Sequence, residues 1–115
     1  MIGKPAEVNI VRSRGDTWAP EFEVQQAGAA YDITGHTFKL SVNPRRAPAD
    51  DTGQAFQVPG VIVDGPAGLV RFPLSAGNAA IAPGVYHFDV EETNGSGEVR
   101  TLVVGTWTVR QDITK

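Results

Sequence analysis

The sequence contains no cysteine, which excludes disulfide bridges and thiolate metal ligands. Positive charge is also scarce, because ten Lys and Arg stand against thirteen Asp and Glu, a formal net charge of −3. Binding to a phosphate backbone requires clustered Lys and Arg, so nucleic acid is not an expected partner. No apolar run approaches the ~20 residues of a membrane-spanning helix, so we expect no membrane partner either.

Glycine and proline are frequent and divide the chain into short segments. Thirteen Gly and eight Pro are spread over 115 residues, and most segments between them alternate apolar and polar residues. This period of two is typical of β-strands with one buried face. The range 55–64 predicts one strand, or two halves divided at Pro59-Gly60. The other predicted inward-facing sets are Val8, Ile10 and Arg12; Trp18, Pro20, Phe22 and Val24; His36, Phe38, Leu40 and Val42; Val70, Phe72 and Leu74; Tyr86, Phe88 and Val90; and Val103, Gly105, Trp107 and Val109.

Four local patterns refine this prediction. Ser75–Ala82 is the only helical candidate, and Asn94–Gly97 predicts a hairpin turn. Tyr86 follows Pro83-Gly84 at the start of a strand, as in the tyrosine corner of Greek-key sandwiches. The turn at Asp32–Gly35 is expected to place Ile33 in the core.

Together these patterns predict an all-β fold, an immunoglobulin-like antiparallel β-sandwich of about seven strands with Greek-key connections. We expect one domain over residues 1–115, with its core at about 7–110 and short flexible termini.

The residues that could carry chemistry are isolated. His36 and His87 lack neighbours at metal-ligand spacing, and both are interpreted as structural or surface residues. Asp50-Asp51 could supply oxygen ligands to Ca²⁺, but EF-hand spacing is missing and solvated loop acids are the favoured interpretation. No serine stands in a nucleophile elbow. We therefore expect no catalytic, cofactor-binding or metal-binding residues and no enzymatic activity.

Two regions suggest contact with a partner. The irregular stretch 44–53 predicts an exposed loop that carries Arg45, Arg46, Asp50 and Asp51. Leu102 and Val104 alternate with the predicted inward residues of the last strand, so they would form an apolar strip on the outer face, beside Val85. Packing of this strip beneath a loop explains it equally well.

Aromatic residues raise one alternative, a carbohydrate-binding sandwich. It requires exposed, coplanar rings, whereas most of the aromatic side chains are predicted to face inward and favour core packing. The residues concerned are Trp18, Phe22, Tyr86 and Trp107.

The order of short motifs along the chain resembles a known family. Arg14–Thr17 leads into a strand, Tyr31–Phe38 contains an Asp-Ile-Thr-Gly turn, Pro83–Val90 carries a Pro-Gly-Val-Tyr-His-Phe strand, and Gly105–Val109 closes the pattern. This series is similar to the N-terminal domain family of tailed-phage baseplate upper proteins and related small phage tail or neck proteins. The similarity covers roughly residues 10–110.

The resemblance implies a non-enzymatic structural protein of the virion, produced in the cytoplasm of the host bacterium. Its implied partners are other phage structural proteins, within an assembly that contains a symmetric homo-oligomer of the chain. The family's longer members continue into C-terminal receptor-binding regions, whereas this sequence stops near the end of the predicted sandwich. An adaptor, a neck component and a capsid-decoration protein are therefore all open.

Overall fold

A computed structural model describes residues 5–26, 28–44 and 53–111 of the chain. Within these ranges the backbone forms ten strands and one short helix. They are β1 (Ala6–Ser13), β2 (Glu21–Glu23), β3 (Gln25–Gln26), β4 (Ala29–Ala30), β5 (Thr37–Asn43), β6 (Phe56–Pro59), β7 (Val61–Asp64), β8 (Leu69–Arg71), α1 (Ala76–Ala79), β9 (Gly84–Thr93) and β10 (Val99–Arg110).

The larger sheet has five strands in the order β1-β10-β9-β5-β6. Its β10–β9, β9–β5 and β5–β6 pairs are antiparallel, whereas β1 runs parallel to β10, with Ala6 opposite Val103 and Ser13 opposite Arg110. This parallel pair of the first and last strands departs from the predicted antiparallel order. Alternation within one strand reports which residues face the core, but it does not report the direction of the neighbouring strand.

A three-stranded sheet, β2-β8-β7, covers one face of the larger sheet, and β3 and β4 form a separate antiparallel hairpin. The predicted second strand is shorter than expected. It begins only after Pro20, although the carbonyl groups of Trp18 and Pro20 still accept hydrogen bonds from Leu74 and Phe72. Proline cannot donate to a ladder, which agrees with its position outside the regular strand.

The inward faces of the sheets share one hydrophobic core, and the predicted all-β sandwich is thus confirmed. Side chains from both sheets take part, because apolar area removed from water is the main source of folding free energy. Its buried members are Ile10, Val24, Ile33, Phe38, Leu40, Val42, Phe56, Val58, Val70, Phe72, Phe88, Val90, Leu102, Val103, Trp107 and Val109.

One side of the sandwich is closed by the chain itself at Gly60. This residue joins β6 of the larger sheet to β7 of the smaller one, and its amide donates to the carbonyl oxygen of Phe38 at 2.8 Å. A Cβ atom here would lie 2.7 Å from the Cβ of Phe38 and 2.9 Å from atoms of Phe72 and Val70. The absence of a side chain therefore permits the direct crossing, and the 55–64 segment forms two strands in different sheets.

The predicted helix is confirmed as a single turn. Its N-cap is Ser75, whose hydroxyl accepts from the amide of Asn78, while the Asn78 side chain accepts from the amide of Ser75. This reciprocal capping satisfies two backbone donors that a helix start would otherwise leave free. The described part of the chain contains no helix long and apolar enough to cross a membrane.

The predicted turns are also confirmed. Asp32 accepts hydrogen bonds from the amide and hydroxyl of Thr34, and the adjacent Ile33 is fully buried. The Tyr86 hydroxyl donates to the carbonyl oxygen of Ala82 at 2.7 Å, the geometry of a tyrosine corner. The side chain of Asn94 accepts from two amides of the β9–β10 turn.

Candidate functional site

Four of the six predicted interaction residues lie outside the described residues. These are Arg45, Arg46, Asp50 and Asp51, so the predicted exposed loop and the calcium alternative at Asp50-Asp51 stay predictions. Among the residues that the structure does describe, no three His, Asp or Glu side chains come together in a group that could hold a metal ion.

Leu102 does not lie on the outer face of the sheet, contrary to the prediction. The β9–β10 register shifts between Thr101 and Val103, which marks a β-bulge. Such a bulge inserts one extra residue and interrupts strict alternation. Leu102 and Val103 are therefore both buried in the core, at 8% and 6% exposure.

Val104 does follow the predicted outward direction. It is half-buried between Glu7 of β1 and Asp89 of β9. Val85 pairs with Thr108 further along the sheet, so it is not the cross-strand neighbour of Val104. The predicted continuous strip of Leu102, Val104 and Val85 is therefore not formed. Leu102 is buried in the core, and Val104 and Val85 lie opposite different residues, Asp89 and Thr108.

The carboxyl group of Asp89 is partly buried on this outer face. Burial raises the pKa of its carboxyl group, and the negative charge of Glu91 acts in the same direction. Lys39 opposes both effects. Its cross-strand neighbours are Val104 and Ser41, which offer no compensating charge.

The side of the sandwich opposite Gly60 is open. A cavity of about 310 Å³ lies between the larger sheet and the β2–β3 region, near the lower limit of the ~300–1,000 Å³ typical of ligand pockets. Val8 of β1 and Phe22 of β2 contribute to its walls, and in the described part of the chain each of these strands is the outermost one of its own sheet. The lining residues are Ala6, Val8, Phe22, Glu23, Val24, Gln25, Val70, Val90, Leu102 and Val103. We call this opening the edge cleft.

Among the described residues that line the edge cleft, the polar side chains come from β2 and β3. Glu23 and Gln25 are both exposed, and the side-chain nitrogen Nε2 of Gln25 donates to the Glu23 carboxylate at 2.6 Å. Glu23 is the one charged residue among the described residues that line the cleft. The interior walls, formed by Val70, Val90 and Leu102 among others, are apolar and buried. This arrangement suits an apolar occupant with a positive group at its exposed end.

A second polar feature, missed in the sequence analysis, is a buried carboxyl group that a histidine and an arginine contact. Nδ1 of His36 lies 2.6 Å from Oε2 of Glu92, and Glu92 is only 1% exposed. Nε of Arg100 lies 3.7 Å from the other carboxylate oxygen, Oε1. Arg100 also donates to the hydroxyl of Tyr31 at 3.2 Å, so four side chains form one network.

The signal for Glu92 was present in the alternation of β9. Phe88 and Val90 face the core, and two residues further on the same face carries Glu92. A carboxylate at a core position requires partners, since burial of an isolated charge is costly. His36 contacts Oε2 at hydrogen-bond distance. Oε1 is buried with no hydrogen-bond partner among the described residues, and the guanidinium of Arg100 lies 3.7 Å from it. The network ties the residue before β5 to the adjoining ends of β9 and β10.

The aromatic residues pack inward rather than forming an exposed platform. Trp107 is 3% exposed and contacts Phe56 and Phe88 edge to face. The ring centroid of Trp18 lies 5.9 Å from that of Trp107, and the guanidinium of Arg12 stacks over Trp18 at 4.4 Å. The prediction of core packing is confirmed for Trp107, which is buried, whereas Trp18, Phe22 and Tyr86 are half-buried and pack against the core. These rings therefore give no support for an exposed, coplanar sugar platform.

Comparison with solved structures finds a similar fold in CopC from Methylosinus trichosporium OB3b. The TM-score is 0.52 and the sequence identity 10%, over 90% of this chain and 84% of that one. At this level of identity the likeness concerns the fold alone. No protein-family model and no curated protein matches the sequence.

Proposed function

We propose that the chain is a structural protein of a bacteriophage virion, an adaptor of the tail, baseplate or neck. It is produced in the cytoplasm of the host bacterium and is then incorporated into the particle. Its partners are other phage structural proteins, to which it binds through loops and strand edges. The motif series over roughly residues 10–110 supports the phage assignment.

The structural observation that carries the proposal is an apolar strand edge on the smaller sheet. Within the described residues β7 is the outermost strand of that sheet, and Val61 and Val63 are 44% and 48% exposed. The β7–β8 register shifts between Ile62 and Asp64, so the edge is irregular at Val63. Exposed edge strands with apolar side chains tend to pair with other chains, although charge, proline, a β-bulge or a covering loop can protect them. An assembly partner would cover this edge.

The sandwich provides a rigid support for such contacts. Its core connects both sheets, and its chain crossing at Gly60 fixes β7 relative to β6. In a closed ring of identical copies, many modest contacts add up to a stable assembly. Binding strength then comes from repetition rather than from one extensive patch.

The direct test is deletion of the gene from the phage that encodes it. We expect particles that lack tails, or carry incomplete tails, in electron micrographs, and a loss of infectious titre that the intact gene restores. Separate fractionation of heads and tails would distinguish a tail adaptor from a capsid-decoration protein. Deletion without effect on particle morphology and titre would contradict the proposal.

A pair of valine variants tests whether β7 is a docking edge. Val63→Lys places charge on the edge, whereas Val99→Lys changes a valine of the other sheet that is 59% exposed. We expect Val63→Lys to complement the deletion poorly and Val99→Lys to complement it well. Equal complementation by both variants would remove β7 from the interface.

A further inference from the structure

We infer that the edge cleft binds an extended peptide segment of a partner protein, added as a new strand to the free edge of β1. This deepens the proposed function, on which it rests, by adding a second docking edge besides β7 and by naming the chemistry of the partner that binds there. The segment would carry apolar side chains at alternate positions and a Lys or Arg beside them.

The backbone of β1 provides the first part of the argument. β1 has a hydrogen-bonded neighbour, β10, on one side and is the outermost strand of its sheet in the described part of the chain. An incoming extended backbone can use the unpaired amide and carbonyl groups of such an edge repeatedly, whereas a small molecule cannot. The eight residues of β1 provide room for a strand of ordinary length.

The side chains of the cleft provide the second part. Ala6 and Val8 of β1 line the same cavity as the buried Val90, Leu102 and Val103. Because alternate residues of a strand face the same side, a segment paired with β1 would direct every second side chain toward these walls. The bulge at Thr101–Val103 contributes here, since it brings two consecutive apolar side chains to the cavity.

The charge of the cleft lining indicates which charge the bound segment should carry. Glu23 is the one charged residue among the described residues of the lining, and it is exposed. A positive side chain next to the apolar positions would complement it, while an acidic one would be repelled. The inferred partner is therefore an amphipathic, basic-flanked extended segment rather than a neutral or acidic one.

The test uses the full chain and a synthetic nine-residue peptide with valine and threonine alternating between terminal lysines. Binding is followed by fluorescence anisotropy of the labelled peptide, and the bound site by hydrogen exchange of backbone amides. We expect binding together with new protection in β1. Controls are a peptide of equal composition with its valines contiguous and one whose edge-facing amides are N-methylated. Both should bind at least about fivefold more weakly, because backbone pairing or side-chain register is lost.

A charge reversal tests whether Glu23 attracts the lysines at the ends of the bound peptide. Glu23→Lys should weaken the lysine-flanked peptide about threefold or more and strengthen a glutamate-flanked one, as expected for an exposed pair. Glu21→Lys is the matched control, because this exposed glutamate lies two residues away and does not line the cleft. Both variants should retain the circular dichroism spectrum of the parent protein.

Several results would overturn the inference. They are absence of binding, equal binding of the contiguous or N-methylated peptide, protection on β7 instead of β1, and full protection of β1 before peptide is added. The last result would show that this chain or a second copy already covers the edge. If the peptide does not bind but gene deletion produces defective particles, the inference about β1 is wrong and the proposed virion role stands. If the peptide binds β1 but gene deletion leaves particles normal, the virion role is wrong and the binding site on β1 stands.

Discussion

The imidazole of His36 lies within hydrogen-bond distance of Glu92, with 2.6 Å between Nδ1 and Oε2, at the end of the sandwich core. The carboxylate is 1% exposed and the histidine side chain 14%. Glu92 therefore depends on His36 and on Arg100 for compensation of its buried charge. The pair joins the start of β5 to the end of β9, so its role is to fix this end of the larger sheet.

Replacement of Glu92 should destabilise the fold. Glu92→Ala removes both contacts of the carboxylate and leaves His36 and Arg100 without their partner, and we expect a loss of about 3 kcal/mol in the free energy of unfolding. Urea denaturation measures it. Glu91→Ala is the matched control, because the Glu91 side chain is 36% exposed and contacts Lys39 only at 3.9 Å, so its effect should stay below about 1 kcal/mol. Similar effects of the two substitutions would contradict the structural role of the network.

A methyl group at Gly105 should separate β1 from β10. A Cβ atom here would overlap the carbonyl oxygen of Val8, and it would also lie 3.2 Å from Phe88. Since overpacking against backbone cannot be relieved by a rotamer change, we expect Gly105→Ala to cost about 3 kcal/mol or more. Hydrogen exchange should show lost protection in β1.

Gly95 offers the control for that substitution. It has no atom within 4 Å of the added methyl position, so Gly95→Ala should change stability by less than about 0.5 kcal/mol. Retained protection of β1 in Gly105→Ala would show that β1 does not pair with β10 as described.

The raised pKa of Asp89 predicts that its contribution to the free energy of unfolding of the protein decreases as pH rises. Burial raises the pKa of this carboxyl group in the folded protein, so folding favours its protonated form. The stabilising contribution of protonated Asp89 is complete below the ordinary pKa of Asp. It is lost as pH rises through the higher pKa that this group has in the folded protein. Asp89→Asn removes the effect, and its stability relative to the parent protein should increase as pH rises from about 3 to about 7.

Urea denaturation across this pH range measures the difference between Asp89→Asn and the parent protein. The comparison cancels the opposite effect of Asp32, whose pKa is lowered by hydrogen bonds from Thr34 in both proteins. A difference that stays constant with pH, or decreases, would show that Asp89 is not desolvated in solution.

The tyrosine corner should contribute measurably to stability. Tyr86→Phe removes the 2.7 Å hydrogen bond to the carbonyl oxygen of Ala82 but keeps the ring, so we expect a loss of about 1 kcal/mol. Thermal unfolding and urea unfolding should both show a lower stability for Tyr86→Phe than for the parent protein. An unchanged midpoint would indicate that water replaces the hydroxyl without cost.

Much of the fold was predictable because its signals are local. Alternation identified the buried faces of β5 and β9, turn chemistry placed Ile33 in the core, and the Pro-Gly-Val-Tyr order located the corner at Tyr86. Each of these features depends on residues within a few positions of one another.

The missed features depend on distant residues or on an inserted one. The parallel pairing of β1 with β10 joins the two ends of the fold, and no local pattern encodes it. The bulge before Val103 shifts the phase of alternation, which is why Leu102 was predicted to face outward. Glu92 followed the alternation correctly, but its partners His36 and Arg100 become neighbours only when three elements assemble.

Mass spectrometry of gradient-purified phage particles tests the central claim most directly. If the chain is a virion adaptor, its peptides will co-sediment with the tail proteins in a fixed ratio that persists through a second gradient and a high-salt wash. Their absence from infectious particles, while the protein is abundant in the same lysate, would contradict the account.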